Sequence, residues 1–77
     1  MTLNARGLTG NAMSRLMQKA GFNVSYKKGH HIALQRKEPF TTLIIPDNQT
    51  LDSGTVDALL DDACISDEEF KKLLQRK

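Results

Sequence analysis

Residues 22–46, FNVSYKKGHHIALQRKEPFTTLIIP, hold three β-forming segments joined by links of only a few residues. Such links join neighbouring antiparallel strands, because a parallel return needs a crossover of a dozen residues or more. "FNVSYK" alternates, with Phe22, Val24 and Tyr26 on one side and Asn23, Ser25 and Lys27 on the other. Lys28–Gly29 reads as the first turn, "HHIALQR" as the second strand, and Glu38–Pro39 as the centre of the second turn. "FTTLII" is the third strand, ended by Pro46. The stretch is therefore a three-stranded antiparallel meander.

Helical patterns flank it. Thr9 can cap a helix running through Ala20, in which Ala12, Met13, Leu16, Met17 and Ala20 form one apolar stripe. Gly21 follows in the left-handed position that often ends a helix. After the loop "PDNQTLDSG", a second helix starts at Ser53 or Gly54, with Ser53 read as a cap, and runs to Ala63 on a stripe of Val56, Leu59 and Leu60. "SDEE" at 66–69 is a capping box, in which Ser66 and Glu69 satisfy each other's orphan amides. Phe70, Leu73 and Leu74 supply the stripe of a last helix, whose end carries Lys71, Lys72, Arg76 and Lys77. The expected fold is α+β in the order α-β-β-β-α-α, with the helices on one face of the sheet.

A chain of 77 residues makes one small domain. Residues 1–8 are expected to form a flexible extension and 9–77 the domain. Folding at this size buries only about 60–65% of the unfolded surface, so every large apolar residue counts. With no tryptophan present, Phe22, Phe40 and Phe70 are expected in the core. A surface groove is the realistic form for a site.

The net charge of +2 hides a division. Residues 1–46 carry seven cations against Glu38 alone, whereas residues 47–77 carry four against eight carboxylates. The basic half suggests an anionic partner such as RNA, and the acidic half a protein-facing or merely solvated surface. Cys64 is the only cysteine, which excludes an internal disulfide and a cysteine zinc site. It follows an apolar helix and is expected to be buried and inert. A lone thiol fits the reducing cytoplasm. The opening "MTLNARGLTG" holds no apolar signal core, and no run approaches the ~20 residues that span a bilayer.

Both histidines stand in "KKGHHIALQR" at 27–36. In an extended strand His30 shares a side with Ile32, Leu34 and Arg36, and His31 shares the other with Ala33 and Gln35. Ile32 and Leu34 mark the side that meets the helices, so His31 faces solvent and His30 lies at the edge of the core side. An accessible imidazole with a pKa near ~6.5 can act as general acid or base. Lys27 and Lys28 could neutralise a phosphate while His31 works on its ester. RNA carries its own nucleophile in the 2′-hydroxyl, so a proton acceptor beside cations suffices without metal. The bland reading is an ordinary surface histidine. Adjacent strand histidines point to opposite faces, so they cannot jointly chelate one metal, and no HExxH or phosphate-cradling glycine loop occurs. No metal or organic cofactor is expected.

"LMQKAGF" (16–22), "KGHH" (28–31), "LIIP" (43–46), "SGTV" (53–56) and "LLDDACISDEEF" (59–70) occur in the order and spacing of one family. Over residues 12–74 the chain resembles the HicA toxins, messenger-RNA-cleaving ribonucleases of type II toxin–antitoxin systems. The resemblance implies a fold like that of double-stranded-RNA-binding domains. It also implies a catalytic histidine in a G-x-H turn, which falls on His31 after Gly29, and a HicB antitoxin as partner. Where the family has serine or glycine this chain has His30, which could assist or replace His31. In the family's V-P-x-H the last position here is Asn48. The resulting expectation is a metal-independent endoribonuclease, with His31 catalytic and Lys27, Lys28, Gly29 and Arg36 engaging RNA. The alternatives are a non-catalytic RNA-binding module and an antitoxin-binding domain of the same fold.

Overall fold

The computed structural model describes residues 8–38 and 40–75. Helix α1 spans Gly10–Lys19, and the Ala12 amide donates to the Oγ1 of its cap, Thr9. The helix ends in two reverse bonds, from the Phe22 amide to the Met17 carbonyl and from Gly21 to Gln18. This ending needs a left-handed residue, and Gly21 takes it at φ 101°. The turn drops Phe22 into the core and starts the sheet.

Strands β1 (Asn23–Lys28), β2 (His31–Lys37) and β3 (Phe40–Pro46) form an antiparallel sheet in that spatial order. The β1–β2 link is two residues, Gly29 and His30, with Lys28 pairing His31. Lys28 is therefore the last residue of β1 rather than part of the turn. Gly29 sits at φ 59°, as a two-residue hairpin with a glycine in its first central position requires. Of the expected turn at Glu38–Pro39, Pro39 lies outside the described residues. Lys37 pairs Phe40 across it.

Helix α2 (Ser53–Ala63) is capped by Asp52, whose Oδ1 accepts from the Thr55 amide at 2.7 Å, so Ser53 is not the cap. Asp52 Oδ1 reaches the orphan amide with its negative charge at the positive end of the helix dipole. That hydrogen bond holds the Asp52 carboxyl below its ordinary pKa. Helix α3 (Asp67–Gln75) begins with the expected capping box. The Glu69 amide donates to Ser66 Oγ at 3.2 Å, and the Ser66 amide donates to Glu69 Oε1 at 3.1 Å.

α1 and α2 pack on β3, and α3 packs against α1. All three contribute to one core with the inner sheet face, built on Met13, Met17, Phe22, Leu34, Leu43, Ile45, Val56 and Phe70. Among the described residues, the other sheet face carries no helix. Residues 8–10 are stitched to 49–51 by bonds from Gly10 to the Gln49 carbonyl and from Leu51 to the Leu8 carbonyl. The expected N-terminal extension, apart from Leu8, lies outside the described residues, as do Arg76 and Lys77.

Three expectations are corrected. Phe40 is not in the core but 68% exposed, because its register with Lys37 puts it at the far end of the uncovered face. Val24 and Tyr26 do not extend the buried side of Phe22; they are 48% and 55% exposed. For Tyr26 the cause is a bulge at Ser25, since Val24 pairs Leu34 but Tyr26 pairs Ala33. Val24 keeps to the side of Leu34 and is half-exposed on the edge strand β1. Cys64 is exposed, since it takes the left-handed position at φ 57° that ends α2.

Candidate functional site on the uncovered sheet face

Cross-strand partners share a face, so the register lists what the bare side of the sheet presents. One row is Lys28, His31 and Pro46, and the next is Tyr26, Ala33 and Ile44. Asn23 with Gln35 and Thr42, and Lys37 with Phe40, complete it. Tyr26, Lys28, Gly29, His31, Ala33 and Ile44 line one surface cavity of about 470 Å³. His31 is exposed within it, on the side opposite the buried Ile32 and Leu34, as period two requires.

The bulge sorts the two lysines. One extra residue inverts the parity of everything after it. Lys28 joins His31 on the bare face, while Lys27 turns to the other side and meets Asp47, with Nζ 2.7 Å from Oδ2. Asp47 is buried, and the Lys27 ammonium holds its carboxyl below the ordinary value. Its amide donates to the His30 carbonyl at 2.7 Å, which ties the hairpin tip to the end of β3. Oδ1 has no hydrogen-bond partner; His30 Nδ1 stands 3.7 Å away, beyond bonding distance.

The sequence-predicted residues therefore divide. His31, Lys28 and Gly29 come together in the cavity. His30 sits at the hairpin tip beside Asp47 and does not line the cavity. Lys27 is drawn into the Asp47 ion pair. Arg36 lies on the helix side, where Nη2 donates to the Ala63 carbonyl at 2.9 Å and the guanidinium stacks 4.6 Å above the Phe22 ring. Arg36 thus ties the end of α2 to the sheet, and neither it nor Lys27 shares the face of His31. Asp47 was missed by sequence reading. The only signal available was an acid immediately after a strand-ending proline. Among the described residues no group of three or more His, Cys, Asp or Glu could hold a metal ion.

This α-β-β-β-α-α order carries a G-H-H hairpin at one end of the sheet. A model of the HicA toxin of bacterial toxin–antitoxin systems matches residues 10–65, most of the chain. The chain belongs to the HicA toxin family. It is accordingly the toxin component of a toxin–antitoxin system. A comparison with curated proteins returned no match. The matched segment of this HicA-family toxin contains the whole sheet, α1, α2 and every cavity residue, and ends before α3. No helix among its described residues is long and apolar enough to cross a membrane.

Proposed function

We propose that this HicA-family toxin is a metal-independent endoribonuclease that cleaves messenger RNA with His31 as general acid/base. The observation that supports it most is the common cavity of His31, Lys28 and Gly29 on a sheet face that no helix among the described residues covers. The imidazole takes the proton of a ribose 2′-hydroxyl as its oxygen attacks the adjacent phosphorus. The bond to the 5′-oxygen then breaks. The imidazolium returns its proton, by way of water, to that oxygen, leaving a 2′,3′-cyclic phosphate, a 5′-hydroxyl end and a neutral His31. Lys28 offsets the charge that grows on the non-bridging oxygens. The chemistry calls for no cofactor. Messenger RNA as substrate implies action in the cytoplasm, and a HicB-like antitoxin that masks the cavity would hold the toxin silent.

His30 has no direct part in this reading, because it stands at Asp47 and outside the cavity. The test is cleavage of single-stranded RNA by the purified chain in EDTA. His31→Ala should abolish cutting with the fold intact, whereas His30→Ala should retain most of it. Undiminished cutting by His31→Ala would overturn the assignment. A second reading, an RNA- or antitoxin-binding module without catalysis, draws on Tyr26, Ile44 and Phe40 being exposed on the same face. Salt-sensitive RNA binding without cleavage by the wild-type chain would favour it.

A further inference from the structure

The row next to His31 has an unusual profile. Ala33, at its centre, is fully buried although no helix covers it, while its cross-strand neighbours Tyr26 and Ile44 remain 55% and 47% exposed. A small residue between two large ones makes a trough. Ala33 lies beneath it, out of reach of solvent, and the exposed walls formed by Tyr26 and Ile44 rise from β1 and β3. Those strands are two sheet spacings apart, roughly 10 Å between backbones. The trough opens at one end onto Lys28, Gly29 and His31, within the same cavity.

Apolar walls with one aromatic suit a flat, weakly polar ring; cations at one end suit a phosphate attached to it. The register puts Lys28, His31 and Lys37 on this face and no carboxylate among the strand residues beside them. A polyanion therefore meets no like charge along the sheet. Exposed aromatics on a sheet are a general means of stacking unpaired bases. Resting on the nuclease reading above, we propose that the Tyr26–Ala33–Ile44 trough holds the nucleobase of a nucleotide adjoining the scissile phosphate, stacked on Tyr26. The base enters only if it has left a duplex, so the substrate is single-stranded at that nucleotide. Tyr26 is a positioning residue: it holds the base, and the attached phosphate then falls to His31 and Lys28.

The chain has a single tyrosine, so its ring signals in a proton NMR spectrum belong to Tyr26 without ambiguity. The probes are 2′-O-methyl hexauridylate, which lacks the attacking hydroxyl, and the same backbone made abasic. The base-bearing oligomer should shift the Tyr26 ring protons upfield and the abasic one should not. Tyr26→Ala should weaken binding of the first by about five- to 150-fold, the range for a base that loses one aromatic partner. It should leave binding of the second unchanged, and Tyr26→Phe should restore the affinity. Equal affinities for the two oligomers would overturn the inference, as would a shift confined to Phe40 or one produced by a protein partner and not by RNA. The two proposals fail separately. Wild-type chain that shows the Tyr26 shift but cuts no RNA retains the trough and loses the nuclease. Cutting that depends on His31 without any Tyr26 shift does the reverse.

Discussion

Lys27 Nζ lies 2.7 Å from Asp47 Oδ2, on the opposite side of the strand from its neighbour Lys28. Lys27 holds the Asp47 carboxyl below its ordinary value of 3.8. A lowered folded-state pKa stabilises the fold above the unfolded value, and that contribution is lost as pH falls through the folded one. Wild-type protein should therefore have a higher Tm than Asp47→Asn at pH 7. The gap should close as pH drops below about 4. Thermal melts of both proteins from pH 7 to pH 2 check this; a gap that persists at the acid end would remove the ion pair as its cause.

The same division predicts opposite phenotypes for adjacent residues. Lys28→Ala should slow RNA cleavage by about tenfold, the loss of roughly one charge-assisted phosphate contact, and should flatten its salt dependence. Lys27→Ala should lower Tm and leave the cleavage rate of the folded protein within about twofold, a difference worth under ~0.5 kcal/mol. Rates and melts on the two variants side by side decide it. Equal loss of activity in both would mean that the bulge does not separate their roles.

Gly10 is needed for its lack of a side chain. A Cβ there would stand 1.6 Å from the Pro46 carbonyl oxygen and 2.8 Å from the Asp47 Cα, both backbone atoms. Gly10→Ala should destabilise by about 2 kcal/mol or more through overpacking, although helix propensity alone argues for a gain of up to ~1 kcal/mol. Urea unfolding gives the sign. Because the displaced backbone pairs with His31 and bonds to His30, the variant should also lose activity at temperatures where it stays folded.

Cys64 occupies a left-handed position at φ 57°, in the place glycine usually takes at the end of a helix. Cys64→Gly should stabilise by about 0.5–1 kcal/mol by removing the Cβ strain. The thiol is exposed and does not line the cavity of His31, so cleavage should be unchanged. A stability lower than wild type would show that the thiol makes a packing contribution larger than the strain.

Much of this molecule could be read along the chain because its signals are local. The Thr9 cap, the Gly21 ending, the Ser66–Glu69 box and the stripes of all three helices depend on residues within four positions of one another. The opposition of His31 to Ile32 and Leu34 follows from a period of two, whereas the first turn was read one residue early, at Lys28–Gly29 instead of Gly29–His30. Asp52 rather than Ser53 caps α2 because both residue types can cap, and the choice turns on which side chain reaches the Thr55 amide. Cys64 was misread because an apolar residue after an apolar stripe looks buried, whereas the helix ending turns it outward. The exposure of Phe40 came from its register opposite Lys37, which hydrophobicity does not encode.

By itself the sequence determined an α+β meander flanked by helices, membership of a family through motifs held at fixed spacing, and a histidine facing away from the core. Only the tertiary structure decided what stands beside that histidine. A bulge at Ser25 adds a residue without a cross-strand partner, so the alternation seen before it reverses after it. That reversal sends Tyr26 and Lys28 to the face of His31 and Lys27 to Asp47. Nothing local to FNVSYKK distinguishes the two outcomes. The choice depends on Asp47, twenty residues further along the chain, and on the register of β2 against its neighbours.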